Sequence, residues 1–415
     1  MRLLIVSQYF WPENFRVNEL VATLVQRGHE VTVLTALPNY PEGSVFPEYA
    51  AAPGQFARYE GAEVVRVPFA PRGQGAPRLI LNYATFVASA STIGAWRLRG
   101  RHFDVVFVFQ PSPVTSCLPA LVIARLKRAP VILWTLDLWP ETLQAIGVVR
   151  SPLLLSLVGQ MVRFIYRRCV LVLGQSRAFA GNVERYAGAS DRFRYFPQWS
   201  ESLFSVDPSQ VVAADEMRAY QGTFNVLFAG NIGDAQDFPA ILDAAERLKH
   251  RADVRWLVVG NGRAAPWVRD EIVRRGLTDR VALLGRHAPE RMPAFFKGAS
   301  ALLVSLKRAP VFALTIPAKV QAYLASGLPL LGMLDGEGAR VIEEAQAGLT
   351  CAAGDGAALA GLVERMSALS AIERAAMGGR GLQYARREFD RERLVTQLEG
   401  WLRRASAPAG IADPS

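Results

Sequence analysis

The residues best suited to chemistry stand in and beside two glycine-rich loops toward the C-terminal end of the chain. Thr315, Pro317 and Lys319 lead into a predicted helix, and Gly336 and Gly338 open another helix after a buried strand. Helix N-termini and glycine-rich turns direct backbone N–H groups at one place, which suits a pyrophosphate. Lys319 adds the cation that a leaving diphosphate requires. The alternative for Lys319 is a solvated lysine of a first helical turn, because lysines are mostly exposed.

Glycine also follows other predicted strands in the second half of the chain. One such glycine is weak evidence, since it often serves only the turn. Several at the carboxyl ends of one sheet favour nucleotide binding, because parallel sheets bind ligands there. Lys307 and Arg308 are second choices for the cation beside the diphosphate. The predicted nucleotide-binding residues are Gly230, Asn231, Gly233, Gly260, Gly262, Arg263, Arg286, Thr315, Pro317, Lys319, Gly336, Glu337 and Gly338.

In the first half, a carboxylate stands at the carboxyl end of a buried strand. Asp137 could accept a proton or hold a hydroxyl group, and Glu141 is the alternate carboxylate. The other interpretation is that Asp137 only caps the helix that begins near Pro140.

Polar residues in two further loops of the first half could contact a second substrate. Glu13, Asn14 and Arg16 follow the first predicted strand, and Asn39 follows the next. Neighbouring aromatic residues such as Trp11 could equally form a lid packed on their own domain.

Short apolar runs alternate with helical stretches, which is typical of parallel sheets covered on both faces. The fold class is therefore α/β, with two doubly wound Rossmann-like domains facing a cleft that would hold the ligand. We expect an N-terminal domain over 1–205, a nucleotide-binding domain over 206–385, a helix over 386–404 and a flexible tail over 405–415. The predicted strands are 3–9, 30–35, 64–68, 105–110, 131–136, 170–175, 194–197, 225–230, 255–260, 281–285, 301–306, 329–334 and 349–352.

Composition and charge limit the compartments and the binding partners that are possible for this protein. With 3 cysteines in 415 residues, each alone in an apolar run, neither a disulfide framework nor a zinc site is predicted, and we expect a cytosolic protein. The net charge is +10, and between Glu63 and Glu184 only Asp104, Asp137 and Glu141 are acidic. Such a basic half attracts anionic lipid, nucleic acid or a polyanionic substrate.

Two apolar stretches in this basic half, 79–95 and 152–166, have the composition of helices that lie at a membrane surface. The first is at the short limit for a spanning helix and contains polar residues, so peripheral attachment is the better interpretation. The alternative is two amphipathic helices of a soluble domain.

Several of these motifs together resemble glycosyltransferase family 4. They are Gly28-His29-Glu30, Gly230-Asn231-Ile232-Gly233, Gly260-Asn261-Gly262, Pro317-Ala318-Lys319 and Asp335-Gly336-Glu337. Asp137-Leu138-Trp139-Pro140-Glu141 is most similar to the colanic-acid and O-antigen type, which includes the L-fucosamine transferase of O-antigen assembly.

The resemblance implies a GT-B fold, with an acceptor-binding N-terminal domain and a last helix that crosses back to it. It implies retaining transfer of a sugar, such as an N-acetylated amino sugar, from a UDP-sugar. The implied acceptor is a saccharide on a polyprenyl diphosphate at the inner face of the cytoplasmic membrane, in envelope polysaccharide synthesis. No metal, no other cofactor and no nucleic acid are implied.

The sequence departs from the family pattern at the donor site. Two family glutamates, one for the sugar hydroxyls and one for the ribose, fall on Leu314 and Ala322, and the usual diphosphate cations fall on Asn231 and Gln236. Lys319 is then the main cation, and Glu337 or Glu343 would contact the ribose. Two alternatives stay open, an enzyme like UDP-N-acetylglucosamine 2-epimerase and a non-catalytic nucleotide-sugar-binding partner of a transferase.

Overall fold

The chain divides into two compact units. The computed structural model describes residues 1–41, 43–73, 75–145, 147, 149–200, 202–205 and 210–407. The first unit joins Met1–Phe196 to the C-terminal stretch from Glu392, and the second is Pro197–Arg391. The division thus lies before the predicted boundary at 205/206, because the segment after Phe196 is held in the second unit, where Gln321 Nε2 donates to the carbonyl of Gln198 at 2.9 Å. Residues 206–209 of the expected linker lie outside the described residues.

The first unit contains an eight-stranded sheet in the order β3-β4-β2-β1-β5-β6-β7-β8, parallel except for β3. Its strands are β1 Arg2–Val6, β2 Glu30–Ala36, β3 Arg58–Tyr59, β4 Ala62–Val67, β5 Val105–Gln110, β6 Val131–Thr135, β7 Leu171–Gly174 and β8 Phe193–Tyr195. Its helices are α1 Arg16–Gln26, α2 Pro47–Ala51, α3 Ala76–Ser89, α4 Ala95–Arg97, α5 Cys117–Lys127, α6 Glu141–Ala145, α7 Pro152–Tyr166 and α8 Phe179–Ala187.

The second unit contains a six-stranded parallel sheet in the order β11-β10-β9-β12-β13-β14. Its strands are β9 Phe224–Ala229, β10 Val254–Val259, β11 Val281–Gly285, β12 Ala301–Ser305, β13 Leu330–Met333 and β14 Gly348–Cys351. The helices are α9 Phe238–Arg247, α10 Ala265–Arg274, α11 Met292–Lys297, α12 Pro310–Ala313, α13 Ala318–Ala325, α14 Glu337–Glu344, α15 Gly356–Ala368 and α16 Ala371–Glu388. The last helix, α17 Arg391–Ser406, belongs to the first unit from Glu392 onward.

Both sheets are doubly wound, as predicted, and the strand order reverses once in each. The reversal lies between β1 and β5 in the first sheet and between β9 and β12 in the second. Ligands of such sheets bind beyond the carboxyl ends of the strands at this point. A ligand site is therefore expected at the loops after these four strands. Every predicted strand is present, whereas the two-residue antiparallel β3 is too short for its pattern to indicate a strand.

The last helix differs from its prediction at both ends. It begins at Arg391 rather than 386, because α16 continues to Glu388 and Phe389 is buried. It continues through Ser406, so the start of the predicted tail is helical, and the tail from residue 408 lies outside the described residues.

An ion-pair network joins α17 to the turn between α1 and β2 within the first unit. Glu399 Oε2 accepts from Arg27 at 2.6 Å, and Glu399 Oε1 lies 2.6 Å from His29 Nε2. Arg27 also reaches Glu392 at 2.6 Å, but the Glu392 side chain is 59% exposed, against 10% for Glu399. Glu399 therefore carries the electrostatic part of this attachment, because exposed ion pairs contribute little to stability.

We expect Glu399→Ala to lower the free energy of unfolding by about 3 kcal/mol, because it leaves Arg27 without its buried partner. Burial opposes ionisation of Glu399, but hydrogen bonds from His29 and Arg27 outweigh it and lower the pKa of this carboxyl. Its contribution is therefore full above the unfolded pKa near 4.3 and is lost as the pH falls through the lower folded value. Denaturant unfolding of wild type and variant at neutral and acidic pH measures both effects.

The matched control is Glu392→Ala, which removes the exposed partner of the same arginine and should cost less than about 1 kcal/mol. Equal losses in the two variants would show that burial does not distinguish the two ion pairs.

Candidate functional site

The amine of Lys319 is the most unusual polar group in the second unit. Nζ is buried, has no hydrogen-bond partner among the described residues, and lies 3.4 Å from the centroid of the Phe228 ring. Burial lowers the pKa of Lys319 to about 7. The sequence alternative of a solvated lysine is wrong for this side chain. A buried amine without an ion-pair partner among the described residues is suited to binding an anionic ligand.

Two contacts place Lys319 at the end of β9, beside the reversal of strand order. One helical turn later, the Tyr323 hydroxyl accepts from the Ala229 N–H and donates to the Ala229 carbonyl, both at 3.0 Å, so α13 is bonded to the end of that strand. At Gly230, which has φ 139°, a Cβ atom would stand 2.6 Å from Lys319 Cε. The positive φ favours glycine at 230, and a side chain there would also displace the end of the lysine.

The glycines after β10 serve a different purpose from the one predicted. A Cβ on Gly260 would lie 1.8 Å from the Gly230 carbonyl oxygen, and one on Gly262 would lie 2.3 Å from the Ile232 carbonyl oxygen. The N–H of Gly260 donates to Gly285, and the N–H of Gly262 donates to the Asn261 side chain. These glycines therefore let the β9 and β10 loops pack backbone to backbone.

The N-termini of α13 and α14 are adjacent, as a diphosphate site requires. Pro317 is the N-cap of α13, and its Cδ would lie 3.1 Å from a Cβ on Gly338 in the first turn of α14. Gly336, with φ 68°, packs on the carbonyl of Ala313. Thr315 is occupied locally, since its hydroxyl donates to the Phe312 carbonyl at 3.0 Å. Two helix N-termini and one buried amine together favour a dianion.

The acidic residues expected to contact a ribose already have partners. Glu337 is buried and accepts from Arg340 at 2.8 and 3.1 Å. Glu343 accepts from the Thr350 hydroxyl. The substitution of either for the missing family glutamate is not supported by these contacts.

The remaining predicted residues of the second unit lie at the surface or within the β9 loop. Arg263, Arg286 and Lys307 are exposed, and none of them makes an ion pair within the described part of the chain, whereas Arg308 lies 3.8 Å from Asp335. The Asn231 amide stands beside Gly233, whose N–H donates to Gln236 at 3.2 Å. The two positions where family members carry cations are thus occupied by uncharged amides in a loop that also contains Asp234 and Asp237. The cation near this loop is Lys319, which approaches it from α13.

In the first unit, the prediction that Glu13 and Asn39 contact a substrate is wrong. Glu13 is 3% exposed, and its carboxylate accepts from the N–H groups of Phe10, Asn39 and Tyr40 at 3.0, 2.8 and 2.7 Å. Asn39 is fully buried, and its side chain bonds the backbone of Arg72 and Leu37. Both residues fix the loops after β1 and β2 to each other, because a buried carboxylate must satisfy its lone pairs internally.

Of the other predicted contacts in these loops, Asn14 is exposed, and Arg16 lies 3.5 Å from Glu19 on α1. Only Asn14 among the predicted substrate contacts therefore offers an exposed side chain.

Asp137 stands after β6 in a polar turn. Its carboxylate accepts from the Thr142 hydroxyl at 2.5 Å and from Trp139 Nε1 at 3.1 Å. Burial raises the pKa of Asp137, although these hydrogen bonds and one from Ser112 oppose the shift. A half-buried carboxyl with a raised pKa can exchange a proton with a hydroxyl. Its bond to Thr142 also stabilises the start of α6, so both sequence interpretations find support.

Glu141 is an unsuitable alternative, because its carboxylate is directed at the interior. Tyr186 donates to Oε1 at 3.5 Å, and Oε2 is buried without a hydrogen-bond partner in the described part of the chain.

Sequence reasoning missed a polar cluster at the reversal between β1 and β5. The hydroxyl of Tyr9 is buried, and Arg72 lies close to it. Burial and the neighbouring Tyr83 raise the pKa of Tyr9. Tyr83 in turn interacts with Ser112 and Asp137. The signal for this cluster was the turn after β5, at Ser112, which the sequence interpretation did not use.

Among the described residues, no group of His, Cys, Asp and Glu side chains could hold a metal ion.

Comparison with known proteins gives a consistent result for both units. A model of the glycosyl transferase 4-like domain matches residues 14–199, and a model of glycosyl transferases group 1 matches residues 223–368. WcaI of Escherichia coli K12, named as a colanic acid biosynthesis glycosyl transferase, is 25% identical over 344 residues, which are 79% of this chain and 82% of WcaI.

Solved structures with a similar fold cover nearly the whole chain. HepE of Anabaena in complex with UDP and glucose has a TM-score of 0.70 at 14% identity and covers 97% of this chain and 100% of its own. Sucrose-phosphate synthase of Thermosynechococcus elongatus has a TM-score of 0.68 at 16% identity, and the match covers 97% of this chain and 98% of the synthase. The lipopolysaccharide outer core galactosyltransferase WaaB has a TM-score of 0.63 at 11% identity, and the match covers 98% of this chain and 100% of WaaB.

Proposed function

The chain belongs to glycosyltransferase family 4, is of the colanic-acid type and has a GT-B fold, and we propose that it transfers a sugar, with retention of configuration, from a UDP-sugar to a saccharide acceptor. The observation that carries the proposal is the buried amine of Lys319, which has no hydrogen-bond partner among the described residues. Lys319 belongs to the first turn of α13, and the N-terminus of this helix packs against that of α14. As the bond between the anomeric carbon and the diphosphate breaks, UDP leaves with the electron pair and gains charge. Lys319 and the helix N-termini stabilise that charge without a metal ion.

The donor is proposed to be UDP-linked because HepE, which shares this fold, was solved with UDP and with UDP-glucose. An N-acetylated amino sugar is proposed from the family resemblance. Since Glu337 and Glu343 are already bonded, the ribose would be held by backbone groups or by exposed residues of the β10 and β11 loops, such as Arg263 and Arg286.

The acceptor is proposed to be a lipid-linked saccharide of a polysaccharide pathway at the inner face of the cytoplasmic membrane. WcaI is named for colanic acid biosynthesis, and the first unit contains the basic, acid-poor stretch of the sequence. Asp137 would hold the acceptor hydroxyl and accept its proton as the hydroxyl oxygen bonds to the anomeric carbon that UDP leaves.

A donor screen tests this proposal. Purified protein with bacterial membranes and labelled UDP, GDP and dTDP sugars is expected to give lipid-linked labelled product from UDP-sugars. A soluble epimer in place of that product would favour the epimerase alternative, and nucleotide binding without any product would favour a non-catalytic partner. The anomeric configuration of the product, read by nuclear magnetic resonance, tests retention.

A further inference from the structure

One side of the first sheet is covered by helices whose outer surfaces are apolar and basic. Residues of α3, α5 and α7, such as Phe86, Ala120 and Val162, pack in one core with Leu4 and Val106 of the sheet. These three helices therefore lie on the same side of the sheet. We name their outer surface, together with Trp96 in the adjoining α4, the three-helix face.

The three-helix face exposes large apolar side chains on every helix. Leu126 of α5 is 65% exposed, Leu153 of α7 is 70% exposed, and Ile80 of α3 is 66% exposed. Monomeric soluble proteins rarely expose contiguous apolar surface of this kind unless it binds something. The other exposed apolar residues of the face are Leu81, Trp96, Val122, Leu154, Leu157 and Phe164.

The charges of this face have one sign. No Asp or Glu occurs within α3, α5 or α7, and basic residues stand along and just beyond them. Two arginines lie over exposed aromatic rings, with Arg168 3.6 Å from the Phe164 centroid and Arg99 4.0 Å from that of Trp96. Apolar surface interleaved with arginine and aromatic groups suits the interface of a bilayer with anionic headgroups. The basic residues are Arg78, Arg97, Arg99, Arg125, Lys127, Arg128, Arg163, Arg167 and Arg168.

An open groove of about 900 Å³ forms part of this apolar surface, and it is lined mainly by α5 together with Val87 of α3 and Phe164 of α7. Val87, Leu121, Val122 and Leu126 line it on the apolar side. Arg125, Arg128 and Arg168 also line it, so apolar and cationic groups meet within one depression.

The helix in this face that could cross a membrane is instead fixed to the protein. By length and composition alone the stretch Pro77–Arg97 could span a bilayer. However, Asn82 is fully buried, accepts from Gln8 at 2.7 Å and donates to the Ala70 carbonyl at 2.7 Å, and Phe86 is fully buried as well. Only the opposite side of α3, with Ile80 and Leu81, is available to lipid, which is the geometry of a helix lying in the interface.

We infer that the three-helix face lies flat on an anionic phospholipid bilayer, with α3, α5 and α7 in the headgroup region and none of them spanning it. This deepens the peripheral attachment proposed above and names its surface. It does not depend on which sugar is transferred, so the two proposals can fail separately.

Flotation with vesicles tests the inference. Wild-type protein is expected to float with vesicles of phosphatidylcholine and phosphatidylglycerol at low salt and to remain at the bottom with phosphatidylcholine alone. The double variant Leu126→Glu/Leu157→Glu should lose vesicle binding by at least about tenfold, since two carboxylates would enter an anionic interface. The matched control is Val212→Glu/Ile372→Glu, which places the same charges at apolar residues of the second unit that are each 82% exposed.

A second pair of substitutions guards against misfolding of the first. Arg125→Ser/Arg163→Ser removes two exposed cations of the face, each worth about 1 kcal/mol near an anionic bilayer, so binding should fall roughly 30-fold. Equal loss in the control and face variants, or failure of wild type to float, would overturn the inference. Transfer of sugar to a water-soluble acceptor should be unchanged in the face variants. If wild type also fails to transfer sugar to this acceptor, that result counts against the proposed function and not against the membrane-binding surface.

Discussion

Replacement of Lys319 by alanine is expected to reduce the turnover of sugar transfer by more than about tenfold. The physical reason is that the departing diphosphate gains charge, and the buried amine is the cation placed beside the end of β9 to stabilise it. Steady-state kinetics with a UDP-sugar and a soluble acceptor measure the change. Lys307→Ala is the matched control, because this exposed lysine follows β12 on the other side of the strand reversal.

Lys319→Met separates a functional lysine from a structural one. An amine that is buried without a hydrogen-bond partner destabilises the folded state, so methionine, which fills similar space without charge, should leave the stability unchanged or raise it while activity falls. Loss of stability in parallel with loss of activity would contradict the assigned role, as would normal turnover in either variant.

The pH dependence of stability and of UDP binding provides a further test of Lys319. Burial lowers the pKa of Lys319 to about 7, whereas in the unfolded chain it is near 10.4. Between these values the unfolded state binds the extra proton, so wild-type stability should rise with pH relative to Lys319→Met. UDP should bind the protonated amine, and its dissociation constant should increase up to about tenfold for each pH unit above 7. Calorimetry should find no such slope with Lys319→Met.

Asp137→Asn is expected to lower the turnover of transfer by at least about tenfold and to leave the affinity for UDP unchanged. The amide keeps the shape of the side chain but cannot accept the proton of an acceptor hydroxyl, a function worth roughly a hundredfold or more in enzymes. Kinetics and nucleotide titration on the same preparation measure the two quantities.

Glu141→Gln is the control for Asp137, because it neutralises a carboxylate four residues later that faces Tyr186 instead. We expect near-normal turnover in this variant. If Asp137→Asn instead loses stability and nucleotide affinity together, its bond to Thr142 at the start of α6 is its main contribution.

The sequence by itself determined the architecture. Alternating apolar runs and helical stretches predicted two doubly wound sheets, and the topological rule then placed Asp137 and the Gly230 loop at the carboxyl ends of strands, where the structure has them. These features follow from local pattern, because each strand and helix is defined by residues next to one another in the chain. The family could be predicted for the same reason, because each of the motifs that resemble it, from Gly28-His29-Glu30 to Asp335-Gly336-Glu337, is a short run of neighbouring residues.

Only the tertiary structure decided which polar groups are already bonded and which are left for a ligand. The sequence predicted Glu13 as a substrate contact. In the structure its carboxylate accepts from the N–H groups of Asn39 and Tyr40, which belong to another loop. For Lys319 the sequence left two interpretations, a cation beside a diphosphate and a solvated lysine of a first helical turn, and the burial of its amine against Phe228 of β9 excludes the second. Hydrogen-bond partners and burial depend on segments far apart in sequence, and the balance between desolvation and pairing that sets the chemistry of a buried group exists only when those segments have met.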